Sequence, residues 1–236
     1  MINEIRVLDH GFVRLLNAAG PTRRGAERPF DADDTDPANV ARMSFAQKDS
    51  GRTREQDLRL AHYLAEHHHD GPFEFIQVYL EMKLPIFIAR QLVRHRTASL
   101  NEVSARYTTL PPEWYVPAEE QIGGKAPSNK QGRGAEPHPD AQWFRNNLNI
   151  TCRLSYDYYQ EALQRGVAPE LARLFLHTNI YTQWVWSQNL RNLAHLLRLR
   201  LDSHAQWETR QYAQAIYRLL HQHLPATMEL LVEEPQ

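Results

Sequence analysis

The chain has 236 residues, and its 27 lysines and arginines nearly balance its 28 aspartates and glutamates, for a formal net charge of −1. This length predicts one domain, or at most two, with a sizeable core, and the near-neutral charge excludes a general attraction to DNA or anionic membranes. Cys152 is the only cysteine, so an intrachain disulfide is excluded.

Two features of the sequence favour a cytoplasmic protein without membrane or nucleic-acid partners. The N-terminal sequence MINEIRVLDHGF lacks the apolar segment of a signal peptide. The longest apolar run, residues 84–89, is far too short to cross a bilayer. We therefore expect any anion to be bound at a local site.

The N-terminal part of the chain predicts a hairpin, a loop and a helix. Residues 2–16 alternate loosely in polarity around an Asp-His-Gly turn, which predicts a short β-hairpin. Residues 17–35 are rich in Gly, Pro, Arg and Asp and are predicted to form a flexible loop. Asp36 and Pro37 then predict the N-cap and the first residue of a helix.

The next part predicts two helices with a strand between them. Thr53 and Gln56 predict a capping box, and the helix that follows is expected to end near residues 67–69. Residues 76–83 alternate strictly between apolar and polar, which is typical of a half-buried strand. Pro85 predicts the start of another helix. Its apolar stripe would consist of Ile86, Ala89 and Val93. Its C-terminal end would carry Gln91, Arg94 and His95.

The middle of the chain predicts a long loop followed by a long helix. Residues 117–140 are rich in Gly, Pro and polar residues and are predicted to be a flexible loop. Its cations, Lys125, Lys130 and Arg133, leave two interpretations open: a lid over an anionic ligand, or a disordered insertion. Helical spacing covers residues 141–165 and ends at Gly166, and Pro169 begins a short helix that carries Arg173.

The C-terminal part predicts a strand and two helices. Residues 179–187 are β-branched and aromatic, which favours a strand, and Asn189 is expected to cap a helix to about Leu199. Ser203 and Gln206 predict a capping box for a last amphipathic helix. Because helices interleave with few strands and no βαβ series appears, the chain predicts one α+β domain over residues 1–236.

Residues 94–108 carry the densest group of polar side chains: Arg94, His95, Arg96, Ser99, Asn101, Glu102, Ser104, Arg106 and Tyr107. Arginine offers a planar charged fork for phosphate oxygens, and serine and asparagine can address the edges of a pyrimidine-like ring. A purely structural alternative stays open on this pattern. Arg94 and Arg96 would then follow a helix C-terminus, and Ser99 with Glu102 would form a capping box.

No glycine-rich dinucleotide motif or P-loop is present in the sequence, so arginines and histidines would have to bind a dinucleotide. Two further segments supply them, residues 67–74 and 189–208. The first also fits a solvated helix end or, together with His62, a metal site. The second also fits a capped helix start. For Arg94–Arg96, a further alternative is a patch that binds the phosphates of a nucleic acid. Cys152 is expected to be a buried apolar residue rather than a nucleophile.

Residues 94–107 fill every fixed position of R-H-R-x-x-S-x-N-x-x-S-x-R-Y and so resemble the signature of flavin-dependent thymidylate synthases. The segment HDGPFE at residues 69–74 and the segment LRLDSHAQWE at residues 199–208 are also similar to segments of that family. Gly71 and Phe75 depart from its common pattern. The resemblance spans about residues 36–110 and 141–217.

The resemblance implies a single domain with a small, mainly antiparallel sheet flanked by helices. It implies the conversion of dUMP to dTMP with 5,10-methylenetetrahydrofolate as carbon donor and NADPH as reductant through FAD. It also implies a homotetramer with active sites at subunit interfaces.

The same resemblance implies roles for individual residues, and no metal ligand. The catalytic residues would be Ser104, Arg106 and Arg200. The nucleotide would be bound by Gln91, Arg94, Glu102, Ser104, Arg106, Arg173 and Arg200. The cofactor would be bound by His69, Gly71, Arg94, His95, Arg96, Thr97, Glu102, Asn189, His195 and His204.

Overall fold

The computed structural model describes residues 2–21, 31–45, 51–126 and 132–233. The strands are β1 (Glu4–Val7), β2 (Gly11–Ala19), β3 (Gln77–Pro85), β4 (Ser99–Glu102), β5 (Gly123–Lys125), β6 (Arg133–Pro137) and β7 (Tyr181–Asn189). The α-helices are α1 (Asp36–Arg42), α2 (Arg54–Glu66), α3 (Ile86–Leu92), α4 (Ala141–Gln164), α5 (Pro169–Ala172), α6 (Leu190–Leu201), α7 (Trp207–His221) and α8 (Pro225–Leu231). Short 3-10 turns cover Met43–Phe45, Gly71–Phe75, Glu119–Gln121 and Arg173–Phe175.

Five strands form one sheet in the order β1-β2-β3-β7-β4, and every neighbouring pair is antiparallel. Alternation in the sequence explains β3, because Val78, Leu80 and Met82 point to the buried face and are at most 1% exposed. The predicted α+β class and the small antiparallel sheet are therefore confirmed. The predicted hairpin is also present, with Val7 paired to Gly11.

The core lies between one face of this sheet and helices α6, α7 and α8. Trp184 and Trp186 of β7 are both 2% exposed, and they join a cluster that contains Leu193 of α6 and Leu220 of α7. Helix α7 packs on β2, on α6 and on α8. Burial of these large apolar side chains supplies the main driving force for this arrangement. In the described part of the chain, no helix is long and apolar enough to span a membrane.

Local capping explains where several helices begin and end. The predicted capping box is present, since Gln56 N donates to Thr53 Oγ1 at 3.4 Å and Thr53 N donates to Gln56 Oε1 at 3.1 Å. Gly166 follows α4 with a φ of +81°, the left-handed conformation that favours glycine at this position. Helix α1 begins one residue earlier than predicted, with Thr35 as its N-cap.

Some predictions for the helices were wrong. Helix α3 ends at Leu92, so Val93 lies beyond the buried stripe and is 37% exposed. The predicted capping box at Ser203 and Gln206 does not form, because Asp202 Oδ1 accepts from His204 N at 2.7 Å and α7 begins only at Trp207. The additional helix α8 begins where Thr227 N donates to the buried Asp34 Oδ1 at 2.8 Å.

The segment 117–140 differs from the predicted loop. Strands β5 and β6 pair antiparallel within it, with Gly123 opposite Pro137. Lys130 lies outside the described residues. Arg133 donates from Nη1 to Glu208 at 2.7 Å and is therefore paired within the fold.

The other predicted loop, residues 17–35, is shorter in the structure. Strand β2 continues to Ala19, and Ala19 forms an antiparallel bridge with Asp31. Residues 22–30 lie outside the described part of the chain. The strand extends beyond the predicted hairpin because residues 17–19 pair with β3, a contact that is distant in sequence.

Candidate active site

The signature segment connects α3 to the sheet. After α3 the chain passes through Arg94, Arg96 and Thr97, all exposed, and then enters β4, which pairs with β7. Ser99 and Glu102 are therefore the ends of a strand, and the capping-box alternative was wrong. Glu102 Oε1 accepts a hydrogen bond from the Thr182 hydroxyl at 2.6 Å, which fixes this carboxylate beside the sheet.

Two imidazoles and a guanidinium meet between the end of α3 and helix α6. The ring centroids of His95 and His195 are 6.1 Å apart in an edge-to-face arrangement. Burial, the charge of Arg200 and His195 together lower the pKa of His95 from 6.5 to about 4. His95 is therefore neutral at neutral pH.

Two buried nitrogen atoms of this group have no hydrogen-bond partner among the residues that the structure describes. They are Nε2 of His95 and Nε of Arg200. An unsatisfied buried donor costs about 1–3 kcal/mol, more for a charged group. Arg200 Nε is a donor, and Nε2 of the neutral His95 donates or accepts according to its tautomer, so a bound ligand can supply the partners that both atoms lack.

Gln91 lies in the last turn of α3 and forms hydrogen bonds through both the nitrogen and the oxygen of its amide. Its Nε2 donates to Gln206 Oε1 at 2.5 Å, and its Oε1 accepts from the Thr209 hydroxyl at 3.0 Å. The sequence did not indicate Gln206 or Thr209 as site residues. These two residues contact Gln91 only because α3 and the start of α7 meet in the fold, and no local sequence pattern predicts that contact.

A second group contains Ser104, Arg106 and Arg173. The Arg106 backbone N–H donates to Ser104 Oγ at 3.3 Å. Glu170 joins the two arginines, because Arg106 Nη2 lies 3.5 Å from its carboxylate and Arg173 Nε donates to its backbone oxygen at 3.3 Å. Both guanidinium groups are exposed and can still meet an anion.

The remaining predicted cofactor residues have different surroundings. His69 is exposed and lies edge to face with Tyr63 at 6.2 Å. A Cβ added at Gly71 would meet nothing within 4 Å, so this position does not need glycine for space. Asn189 caps α6 by accepting from Asn192 N at 2.9 Å.

His204 is exposed, and its Nδ1 lies 2.9 Å from Asp202 Oδ1. This contact orients the imidazole at the junction of α6 and α7. His204 therefore follows Arg200 at the same end of α6.

The structure thus brings the predicted residues into two groups by the contacts they make. One holds His95, His195 and Arg200, and the other holds Ser104, Arg106 and Arg173. Gln91 instead contacts Gln206 and Thr209 at the start of α7. Sequence reasoning also missed Arg191, whose Nη2 lies 3.1 Å from Asp70.

The histidine run and the cysteine make contacts of a different kind. His67 Nδ1 lies 2.9 Å from the Tyr63 carbonyl oxygen. Within residues 2–21, 31–45, 51–126 and 132–233, no group of three or more His, Cys, Asp or Glu is arranged to hold a metal ion. Cys152 is 3% exposed, and burial raises the pKa of its thiol, which confirms the prediction of a buried apolar residue.

Comparison with known protein sequences identifies relatives over nearly the whole chain. The sequence model of the thymidylate synthase complementing protein family matches residues 30–226. The flavin-dependent thymidylate synthase of Anaplasma marginale is 42% identical over 235 residues, which cover 98% of this chain and 75% of that protein. The flavin-dependent thymidylate synthase of Ruegeria pomeroyi is 42% identical over 224 residues, which cover 93% of this chain and 70% of that protein.

A solved structure has the same fold. The UMP/dUMP methylase PolB from Streptomyces cacaoi, in a crystal structure bound with 5-Br dUMP, aligns with a TM-score of 0.82 at 27% identity. The alignment covers 98% of both chains. The sheet and the helices described above are therefore the fold of a nucleotide-methylating enzyme class.

This chain belongs to the flavin-dependent thymidylate synthase family. The resemblance inferred from the signature is confirmed, and with it a methyltransferase of this type that uses a flavin.

Proposed function

We propose that this protein methylates dUMP to dTMP, with 5,10-methylenetetrahydrofolate as the one-carbon donor and NADPH as the reductant through FAD. The observation that carries the proposal is the pair of buried unpartnered nitrogens on His95 and Arg200. His95 belongs to the signature segment, in which the neighbouring Arg94 and Arg96 are exposed. The expected cytoplasmic location stays a prediction.

The residues present fit a flavin dinucleotide. Its pyrophosphate needs donors and positive charge, and arginine and histidine side chains offer both without a glycine-rich loop. The residues proposed to hold it are His69, Gly71, Arg94, His95, Arg96, Thr97, Glu102, Asn189, His195 and His204. When bound, FAD supplies the hydride chemistry, and the protein supplies binding and orientation.

Phosphate and sugar binding is proposed for five side chains that lie on α3, in the signature segment, after α5 and on α6. It comprises Gln91, Arg94, Glu102, Arg173 and Arg200. Within the described part of the chain, the buried Nε of Arg200 has no hydrogen-bond partner, and the exposed Arg173 donates to the backbone oxygen of Glu170. Both guanidinium groups therefore keep donors for phosphate oxygens.

Arg106 and Ser104 are proposed to activate the uracil ring. Carbon 5 of uracil is a weak nucleophile, so a fixed positive group must stabilise the negative charge that develops on the ring oxygens. Arg106 supplies that charge, with Arg200 as a second catalytic cation. The hydroxyl of Ser104 accepts from the Arg106 backbone, and this contact favours orientation of the ring over nucleophilic attack.

Assembly into a homotetramer is proposed because one chain exposes an apolar stripe along α4. Trp143, Ile150, Leu154 and Tyr158 lie on one helix face and are 66%, 63%, 53% and 49% exposed. A contiguous exposed apolar surface of this kind marks a protein interface. A second copy would cover the stripe, and sites at subunit interfaces would unite groups that remain separate within one chain.

The proposal is tested with purified protein. We expect a yellow preparation that is bleached by NADPH and that, with methylenetetrahydrofolate, releases tritium from 5-tritiated dUMP. Tritiated UMP is the matched comparison, because the structural neighbour is a UMP/dUMP methylase. Colourless protein that does not take up FAD, or protein that releases tritium from neither nucleotide, would contradict the proposal.

A further inference from the structure

Glu208 is a buried carboxylate at the start of α7 that lies outside the groups described so far. Glu208 is 2% exposed. Its Oε1 accepts hydrogen bonds from Arg133 Nη1 at 2.7 Å and from the Tyr115 hydroxyl at 3.1 Å. A buried carboxylate is retained only when it is paired and hydrogen-bonded. Arg133, which comes from the β5–β6 hairpin, provides the opposite charge.

A series of hydrogen bonds leads from this carboxylate to Gln91, which is proposed to bind the nucleotide. Glu208 Oε2 accepts from Gln206 Nε2 at 3.0 Å. Gln206 Oε1 in turn accepts from Gln91 Nε2 at 2.5 Å. The Thr209 hydroxyl, on a residue that is 0% exposed, closes the chain by donating to Gln91 Oε1 at 3.0 Å.

The negative charge of Glu208 determines how the side-chain amides of Gln206 and Gln91 are oriented. An ionised carboxylate only accepts hydrogen bonds, so Gln206 must turn its NH₂ group toward Glu208 and its oxygen toward Gln91. Gln91 must then turn its own NH₂ group toward Gln206. A neutral amide in place of Glu208 would allow both side chains to flip.

We propose that Glu208 is a positioning residue that, through Gln206, fixes the Gln91 amide in the orientation that binds the nucleotide. Arg133 holds Glu208 in place, which gives the β5–β6 hairpin a part in the site without contact with the substrate. This inference rests on the proposed function, because Gln91 is assigned there to dUMP.

The central variant is Glu208→Gln, which keeps the shape of the side chain and removes its charge. We expect the KM for dUMP to rise about tenfold, with a much smaller change in kcat, because a correctly oriented hydrogen bond is lost and the chemistry is retained. Gln206→Ala, at an exposed position that does not threaten folding, should raise the KM by a similar factor.

The matched control is Tyr115→Phe. This change removes the other neutral hydrogen bond to Glu208 and leaves Gln206 untouched. It should lower the thermal midpoint of the FAD-loaded protein and leave the KM for dUMP unchanged.

A double-mutant cycle separates positioning from a purely structural role. If Glu208 acts through Gln91, adding Glu208→Gln to Gln91→Ala should not raise the KM further. Additive increases, or an unchanged KM in both Glu208→Gln and Gln206→Ala, would overturn the positioning role and leave the proposed function standing. An unchanged KM in Gln91→Ala would overturn both the positioning role and the assignment of Gln91 to dUMP.

Discussion

The rings of His95 and His195 meet edge to face, with an interplanar angle of 65°, although one follows α3 and the other lies in the middle of α6. Arg200 places a positive charge beside these rings. After burial, this charge is the largest cause of the lowered pKa of His95. The three side chains concentrate hydrogen-bond donors where a phosphate-bearing ligand is expected.

The first prediction concerns pH and stability. The pKa of His95 is lowered from 6.5 to about 4 in the folded protein. Between these values the unfolded chain binds a proton that the folded chain does not, so the free energy of unfolding falls as the pH is lowered through this window. Above pH 6.5 both states are neutral at this residue, and its stabilising contribution is fully present.

Urea denaturation of the wild type and of His95→Asn at pH 7.5 and pH 5 measures this effect. The variant should lose less stability between the two pH values than the wild type. His62→Asn, at an exposed histidine of α2, is the control and should behave as the wild type. An equal loss in the wild type and in His95→Asn would show that His95 does not contribute.

The second prediction concerns Arg200→Ala. Loss of one charged partner of a buried ion pair costs about 2–5 kcal/mol, so the Kd for dUMP should rise by about 30-fold or more. Stability without nucleotide should not fall, since Nε of Arg200 has no hydrogen-bond partner among the described residues to lose. Isothermal titration with dUMP and thermal melting test the two statements.

Arg198→Ala is the control for Arg200→Ala, because Arg198 is exposed on the same helix. It should bind dUMP as the wild type does. Undiminished binding of dUMP by Arg200→Ala would remove Arg200 from the nucleotide site.

The third prediction concerns Arg106→Ala, which should abolish tritium release and fail to complement a thymidine-requiring strain. Arg106 is half-exposed and lies 3.5 Å from Glu170. An exposed ion pair of this kind contributes about 0–1 kcal/mol, so the variant should fold normally. Arg165→Ala removes a comparable exposed arginine that pairs with Glu161, and it should retain activity.

The fourth prediction concerns assembly. Ile150→Asp or Leu154→Asp places a charge in the exposed apolar stripe of α4 and should dissociate the proposed tetramer, because an unpaired charge is costly at a buried interface. Size-exclusion chromatography with light scattering measures the mass. Arg153→Asp, beside the stripe on α4, is a control for the change of charge. A tetramer that survives both apolar changes would place the interface elsewhere.

Elements with a local cause were the ones that the sequence could predict. The capping box at Thr53 and Gln56, the alternation of β3 and the glycine after α4 are short-range effects, and each is present in the structure. Elements that depend on distant partners were not predictable in this way. Ser99 and Glu102 have the spacing of a capping box, yet pairing with β7 makes them a strand.

The candidate site shows the same difference. The signature made His95 recognisable from the order of residues along the chain, and the segment at residues 199–208 did the same for Arg200. Gln206 and Thr209 were missed because their contacts with Gln91 span 115 and 118 residues. The pairing of Arg133 with a buried carboxylate was likewise hidden in a segment whose composition predicted only a loop.

Asn189 is both the last residue of β7 and the N-cap of α6. No spacer separates the strand from the helix, so an inserted or deleted residue at this junction could not be absorbed. It would rotate α6 by about 100° about its axis, and His195 and Arg200 would turn away from His95. We therefore expect a one-residue insertion or deletion at Asn189 to abolish activity.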